Sequence, residues 1–277
     1  MSKDIGVRPH RGLWIFQGEV DLSDVQQTVP AGIYELDAAP GLGEFFAPRE
    51  VTADHLVMLH KGVMGKLFEE IDIFFADKTR EIYKHFGLTH RMGVLLYGPP
   101  GTGKTCINMQ VAAKLIEEQN CLVFWNPRNF RSFTNGIRRL RRLDPGRQVL
   151  IVLEDFEDYA DDRKVLSFLD GEDKIDNCMI LATTNYASHL PARLTNRPSR
   201  FARRIKVGAP DQEGRREFLV KHIPEPYCSQ IDLDQWAELS EGLTIDHLKH
   251  LAQYVFVFRR NIEEACAELR APLENDE

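Results

Sequence analysis

The sequence predicts an α/β fold in which a parallel sheet is enclosed between helices, making three layers. Short apolar runs alternate with helix-forming segments between residues 94 and 207, the pattern of parallel strands joined by crossover helices. A glycine-rich loop separates the first of these runs from the helix that follows it. After Asp211 the pattern is helical to the end of the chain. We therefore expect an N-terminal extension of unknown role over residues 1–58, a core over 59–211 and a small C-terminal helical lid over 212–277.

The elements follow from the spacing of apolar and turn residues. In the N-terminal extension, short apolar stretches broken by turn residues indicate a mixed or β segment, with strands or extended pieces at residues 13–16, 32–36 and 43–46. Residues 56–86 have apolar positions at helical spacing. The predicted core strands are 94–97, 122–125, 149–153, 179–183 and 204–207. The predicted lid helices are 213–222, 233–238, 245–257 and 262–269.

Residues 98–105 read Gly-Pro-Pro-Gly-Thr-Gly-Lys-Thr and fill every fixed position of G-x-x-x-x-G-K-[ST]. In that motif the backbone N–H groups surround the phosphates of a nucleotide, and the N-terminus of the following helix adds partial positive charge. Lys104 is expected to reach the β- and γ-phosphates, and the Thr105 hydroxyl to bind Mg²⁺. The residues expected to bind the nucleotide are Pro99, Pro100, Gly101, Thr102, Gly103, Lys104, Thr105 and Cys106. The core is thus predicted to be of the P-loop NTPase type and to bind a nucleoside triphosphate.

Four carboxylates lie within five residues after the predicted strand 149–153. They are Glu154, Asp155, Glu157 and Asp158. Ligands of α/β sheets bind at the carboxyl ends of the strands, so one carboxylate can hold the Mg²⁺ shell while its neighbour polarises the attacking water. The alternative is a solvated acidic turn.

Further candidate groups follow later strands. Asn185 comes directly after the predicted strand 179–183 and can bond both the γ-phosphate and the water, although asparagine is also a common turn residue. Arg197 and Arg200 lie in a stretch without acidic residues nearby in sequence. Arginine stabilises the charge that develops on a transferring phosphoryl group, and these two can act on a neighbouring subunit. Surface arginines or intrachain salt bridges are the alternative.

Together these motifs resemble the AAA+ ATPases of the AAA clade. The likeness rests on the phosphate loop, the acidic strand end, Leu169-Asp170-Gly171, Ala182-Thr183-Thr184-Asn185 and Arg197-Pro198-Ser199-Arg200-Phe201, and it extends from about residue 74 to the C-terminal helices. Residues 91–98 and 153–155 are similar to motifs of the mitochondrial inner-membrane ATPases that translocate a folded iron–sulfur protein.

The resemblance implies ATP and Mg²⁺ as ligands, and it implies a homo-oligomeric ring, a hexamer. It places Glu154 with Thr105 at the metal, Asp155 at the catalytic position and Asn185 at the first sensor. Arg197 and Arg200 match the arginine fingers that act on the adjacent subunit.

Two features depart from the family pattern. The order Glu154-Asp155 inverts the usual Asp-Glu, which leaves open slower hydrolysis or the use of Glu157 at the water. Residues 241–246 match the lid's Gly-Ala-Asp region imperfectly.

A segment rich in Phe and Arg follows the second core strand. Phe130 and Phe133 stand where ring-forming relatives carry a loop that grips substrate, and arginines continue to Arg142. This Arg128–Arg142 region can grip an extended polypeptide or neutralise and stack on single-stranded nucleic acid. The alternative is that both phenylalanines are core residues and the arginines face an acidic neighbour.

Composition limits the remaining choices. A net charge of −7 argues against a general nucleic-acid coat protein, and the five cysteines form no C-x-x-C pair that would indicate zinc or a disulfide framework. Because no apolar run reaches bilayer length and no secretory signal is evident, we expect a cytoplasmic protein without membrane insertion.

Three functions fit the sequence. The first is an ATP-hydrolysing ring that remodels or translocates a macromolecular client, most simply a protein. The second is a nucleic-acid-associated ATPase, such as a replication accessory factor, helicase loader or motor. The third is a slow nucleotide-gated adaptor switch, suggested by the inverted acidic pair at Glu154 and Asp155.

Overall fold

The computed structural model describes residues 6–10, 12–17, 28–41, 43–50, 61–173, 175–191, 194, 197 and 199–271. Its strands are β1 (Gly6–His10), β2 (Leu13–Gln17), β3 (Gly32–Ala39), β4 (Gly43–Pro48), β5 (Arg91–Tyr97), β6 (Leu122–Trp125), β7 (Val149–Leu153), β8 (Cys178–Thr184) and β9 (Arg203–Lys206). Its helices are α1 (Lys61–Phe75), α2 (Asp77–His85), α3 (Lys104–Gln119), α4 (Phe130–Leu143), α5 (Arg163–Asp170), α6 (Gln212–His222), α7 (Leu233–Leu239), α8 (Ile245–Phe256) and α9 (Ile262–Arg270).

The core sheet is parallel, which confirms the predicted α/β fold. The order of the core strands is β6-β7-β8-β5-β9, and every neighbouring pair among them runs in parallel. Strands β6, β7 and β8 are buried along their whole length because helices cover both faces of the sheet. Strands β6 and β7 have the predicted bounds, and the ends of the others differ by three residues or fewer.

The N-terminal strands extend this same sheet. Strands β1, β2, β4 and β3 are joined in antiparallel pairs, and β3 then runs parallel to β6, with Gly32 opposite Leu122 and Tyr34 opposite Phe124. The result is one nine-stranded sheet among the residues described. The division of the chain at residue 58 stays a prediction, but the described part of the extension is bonded to the core.

Among the residues described, three apolar clusters stabilise the molecule. One lies on the side of the sheet covered by α4 and α5 and includes Phe46, Phe124 and Phe133. Another lies under α1 and α3 on the other side, and a third is formed within the lid around Trp236 and Leu248. The lid therefore has a core of its own. Within the described ranges, no helix combines the length and the apolar character that spanning a bilayer requires.

The prediction that Phe130 or Phe133 grips a substrate is wrong. Their side chains are 4% and 0% exposed, and they lie on the face of α4 that packs on the sheet. That face is determined by the spacing of Phe130, Phe133, Ile137 and Leu140, which recurs every three or four residues. Burial of this amphipathic helix leaves both phenylalanines in the core.

Most arginines of the Arg128–Arg142 region have partners within the chain. The pairs are Arg128 with Glu35, Arg138 with Asp173, Arg139 with Glu44, and Arg141 with the backbone carbonyls of Arg147 and Asn177. Arg131 and Arg142 are exposed on α4. The acids that meet this region thus belong largely to the same chain.

Candidate nucleotide site

The phosphate loop runs from the end of β5 to the start of α3, as the motif requires. Gly103 has a φ of 90°, a left-handed conformation that favours glycine, and it directly precedes Lys104, the first residue of α3. The Lys104 ammonium donates to the carbonyl oxygens of Gly98 and Pro99, both at 2.8 Å. Burial lowers the pKa of Lys104, while Asp155 and Glu157 act to raise it. The lysine is therefore held inside the glycine-rich loop.

Glu154 is fixed by groups that sequence reasoning missed. The Trp125 indole N–H donates to its Oε2 at 2.9 Å, and the Asn108 amide approaches its Oε1 at 3.5 Å. The Glu154 backbone N–H donates to Asn126 Oδ1 at 2.7 Å. Their places in the sequence are the signal that could have found them. Trp125 and Asn126 lie at the carboxyl end of β6, where ligands of parallel sheets bind, and Asn108 lies one helical turn after Thr105.

Asp155 adopts an unusual backbone conformation beside Asn185. Its φ is 49°, in the left-handed region that Asp and Asn tolerate better than most residues. The Asn185 amide donates to Asp155 Oδ1 at 3.3 Å. Desolvation raises the pKa of Asp155, and the nearby carboxylates of Glu157, Glu154 and Asp158 raise it further, against the opposing effect of Lys104.

These groups enclose one pocket of about 290 Å³ between the core and the lid. The residues lining it are Pro100, Gly101, Thr102, Gly103, Lys104, Thr105, Cys106, Glu154, Asp155, Thr183, Asn185, Ile245, Asp246 and Lys249. All but one of the residues predicted to bind the nucleotide line this pocket; the exception is Pro99, whose carbonyl accepts from Lys104 and Thr102. Asp155 lines the pocket and Glu157 does not.

The lid meets the phosphate loop through the N-terminus of α8. The Asp246 N–H donates to the Gly101 carbonyl at 3.1 Å. A Cβ added at Gly103 would lie 2.6 Å from Ile245 Cδ1, so the lid packs directly on the loop. Lid residues Ile245, Asp246 and Lys249 thereby form one wall of the pocket, which the imperfect motif at residues 241–246 did not predict residue by residue.

Arg197 and Arg200 do not line the pocket of their own chain. The intrachain salt bridges that the sequence left open are present, because Asp170, the last residue of α5, lies against both arginines. Asp170 is thirty residues before Arg200 in the sequence, so this pair is created by the tertiary fold. Whether either arginine acts on another subunit stays a prediction.

The residues present suit a magnesium-bound triphosphate. Within the described ranges there is no cluster of three or more His, Cys, Asp or Glu side chains that could hold a metal ion alone. Mg²⁺ usually has one or two protein ligands and completes its shell with phosphate oxygens and water. Thr105 and Glu154, both on the wall of a pocket that also presents Lys104 and a helix N-terminus, match that donor set.

Part of the chain is similar in sequence to known proteins. Residues 94–209 match the profile of the "ATPase family associated with various cellular activities (AAA)". The chain is 29% identical over 195 residues to the "Cell division cycle protein 48 homolog" of Archaeoglobus fulgidus, an alignment that covers 64% of this chain and 26% of that protein. It is 31% identical over 187 residues to the "Proteasome-activating nucleotidase" of Methanopyrus kandleri, covering 60% of this chain and 42% of the other.

The chain thus spans between about a quarter and a half of the length of these curated relatives. The matched segment begins in β5 and ends beyond β9, so it contains the phosphate loop, the acidic turn, Asn185, Arg197 and Arg200. Over residues 94–209 the chain is therefore similar to the AAA ATPases.

Proposed function

We propose that this chain hydrolyses ATP as a subunit of a homo-oligomeric ring, a hexamer, and uses the energy to remodel or translocate a protein client. One observation carries the proposal. The groups that suit binding of the phosphates, the metal and the water lie in one pocket, whereas the arginines of the same domain lie outside it. A second subunit has to supply them if they act on the nucleotide.

In the proposed reaction, Lys104 and the loop N–H groups hold the phosphates, and Thr105 and Glu154 hold Mg²⁺, which supplies charge neutralisation when bound. Asn185 orients the water and the carboxyl of Asp155. The water oxygen attacks the γ-phosphorus, the bond to the β–γ bridging oxygen breaks, and Asp155 accepts the proton of the water. Its raised pKa makes Asp155 a better base than an ordinary aspartate once it is ionised.

A protein client is favoured over nucleic acid. Four arginines of the Arg128–Arg142 region are paired within the chain, which reduces the charge free to contact phosphates. The names of the relatives include a proteasome-activating nucleotidase, which indicates work on proteins in that relative. The likeness to mitochondrial inner-membrane translocases rests on two short motifs and stays a prediction, as does the cytoplasmic location.

Mixing two inactive variants tests the ring. Lys104→Ala removes nucleotide binding but leaves Arg197, and Arg197→Ala removes the arginine but leaves the pocket. Each alone should lose about 100-fold or more in turnover. When the two are mixed in equal amounts, roughly a quarter of the interfaces join an intact pocket to an intact arginine, and turnover should return in proportion.

Arg203→Ala is the matched control, because Arg203 is 56% exposed and Arg197 is 57% exposed. It should retain wild-type turnover. Turnover per chain should also fall on dilution as rings dissociate. Constant turnover on dilution, together with a mixture that stays inactive, would show that the site is complete within one chain.

The two remaining functions are separable by simple measurements. Binding of single-stranded DNA at low salt, where phosphate contacts are strongest, would favour the nucleic-acid-associated ATPase. Wild-type turnover no higher than that of Asp155→Asn would favour the slow adaptor switch.

A further inference from the structure

Arg197 and Arg200 meet one carboxylate in different ways. Asp170 accepts two bonds from the Arg200 guanidinium, from Nε at 2.7 Å and from a terminal nitrogen at 2.6 Å. Arg197 reaches the same carboxylate with a single contact of 3.4 Å. The Arg200 side chain is 5% exposed and that of Arg197 is 57% exposed. The paired geometry of Arg200 is the stronger and more specific of the two.

The backbone of Arg200 is fixed as firmly as its side chain. A Cβ added at Gly93 in β5 would lie 1.8 Å from the Arg200 carbonyl oxygen, so the chain crosses directly over this glycine. The next residue, Phe201, is 2% exposed, and its ring meets that of Phe156 edge to face at 5.1 Å. The backbone that carries Arg200 is therefore packed against the core on both sides of this residue.

The other half of the pair is also anchored to the core. Arg91 in β5 donates to the carbonyls of Phe168 and Leu169 near the end of α5, and to that of Ser199 at 3.2 Å. It thus joins the segments that carry Asp170 and Arg200. The hydrogen bonds that Arg200 donates to Asp170 lower the pKa of Asp170 and raise the pKa of Arg200, so both groups stay charged near neutral pH.

We propose that Asp170 and Arg200 are positioning residues, and that Arg197 alone contacts the nucleotide of the adjacent subunit. The inference rests on the proposed ring. Releasing Arg200 toward a neighbour would leave a largely enclosed carboxylate without its partner, which is costly. Arg197 makes only one long contact with the same carboxylate, and more than half of its side chain is exposed to solvent, where it can meet a phosphate.

Removing the carboxylate gives opposite results under the two assignments. If Arg200 is a positioning residue, Asp170→Asn should reduce turnover about tenfold or more, as Arg200→Lys does. The double variant Asp170→Asn/Arg200→Lys should then be at least as active as the less active of the two single variants, because both substitutions disrupt the same pair. If Arg200 itself reaches the neighbour, Asp170→Asn frees it, and turnover should stay the same or rise while Arg200→Lys remains impaired.

A charge swap tests independently whether Arg200 positions the segment or contacts the neighbouring nucleotide. Asp170→Arg combined with Arg200→Asp re-forms the pair with its direction reversed. Recovery of at least a third of wild-type turnover supports positioning, because only the pair is needed. Turnover as low as that of Arg200→Lys or lower, in a swap variant with wild-type thermal stability, overturns the inference. If Asp170→Asn does not fold, this variant decides alone.

Three further measurements separate the possible causes of a loss of turnover in these variants. The affinity for fluorescent ATP should be unchanged in all these variants, since neither residue lines the pocket of its own chain. Ring formation is measured by light scattering, so a loss through disassembly is recognised, and it would count against positioning. If Arg197→Ala keeps full turnover, the proposed ring mechanism fails; if Arg197→Ala is inactive but Asp170→Asn is fully active, only the positioning inference fails.

Discussion

Asp155 combines two conditions that rarely occur at one residue. Its backbone is left-handed, and its carboxyl is crowded by three other carboxylates that, with desolvation, raise its pKa. A raised pKa means that the folded protein binds this proton more tightly than the unfolded chain does. Above that pKa an ionised Asp155 therefore lowers the stability of the fold.

The first prediction follows from this destabilising effect of the ionised Asp155 carboxylate. Asp155→Asn should lower turnover about 100-fold or more while raising the melting temperature of the nucleotide-free protein at pH 8, because asparagine is neutral and tolerates the left-handed backbone. The gain in melting temperature should shrink as the pH falls and the wild-type carboxyl becomes protonated. Calorimetry between pH 8 and pH 4 measures it.

Asp158→Asn serves as the control for this experiment. It removes an exposed carboxylate of the same acidic turn that does not line the pocket, so turnover should stay close to wild type. An Asp155→Asn protein less stable than wild type at pH 8 would contradict the account.

At the scale of elements, α4 depends on a glycine to approach β3. A Cβ at Gly136 would lie 2.4 Å from Leu36, which is 2% exposed. Gly136→Ala should therefore lower stability, since overpacking costs about 1–3 kcal/mol and the better helix propensity of alanine returns at most about 1 kcal/mol. Thermal denaturation should show a decrease of a few degrees.

Gly146→Ala, in the loop between α4 and β7, is the control for Gly136→Ala. A Cβ there meets nothing within 4 Å, so the melting temperature should change little. Equal effects of the two substitutions would mean that α4 and β3 are not in close contact in solution.

The lid helix α8 links stability to nucleotide binding. Thr244 forms a capping box with His247, and the helix that it starts packs on the phosphate loop through Ile245. Thr244→Ala should lower lid stability by about 1 kcal/mol. If the same amount is lost from the free energy of nucleotide binding, nucleotide affinity should fall roughly fivefold. Titration with fluorescent ATP measures the loss.

The other capping box of the lid offers a comparison. Asn261→Ala removes the same type of cap from α9, whose residues do not line the pocket. It should reduce stability by a similar amount without changing nucleotide affinity. If both variants bind ATP equally well, the start of α8 does not control the pocket.

On the scale of the whole molecule, the continuous sheet argues that strands β1 to β4 belong to the folded core. Strand β3 covers the edge of β6, and Phe46 packs against Phe124 with ring centroids 6.0 Å apart. Deleting residues 1–58 should expose a buried strand as an open edge, and open apolar edges promote aggregation. We expect a lower melting temperature and aggregates in size-exclusion chromatography. A monodisperse truncated protein with unchanged melting temperature would instead indicate a separable appendage.

Much of the fold was predictable because its signals are local. The apolar runs of β7 and β8 and the helical spacing of the lid appear within short stretches of sequence, and each was placed within a few residues. For Phe130 and Phe133 the sequence left both substrate contact and core burial open, and the packing of α4 on the sheet decided for burial. Pairings across long separations, such as β3 with β6 or Asp170 with Arg200, leave no local pattern.

The sequence by itself determined the phosphate loop and the acidic turn, since glycine conformations and a helix N-terminus depend on neighbouring residues alone. Only the tertiary structure decided which charges remain available. It showed Glu154 fixed by Trp125, and it paired Arg200 with Asp170 while leaving Arg197 largely in solvent. The reason is physical: whether a charge is paired or exposed depends on the groups that folding brings beside it, and those groups come from distant parts of the chain.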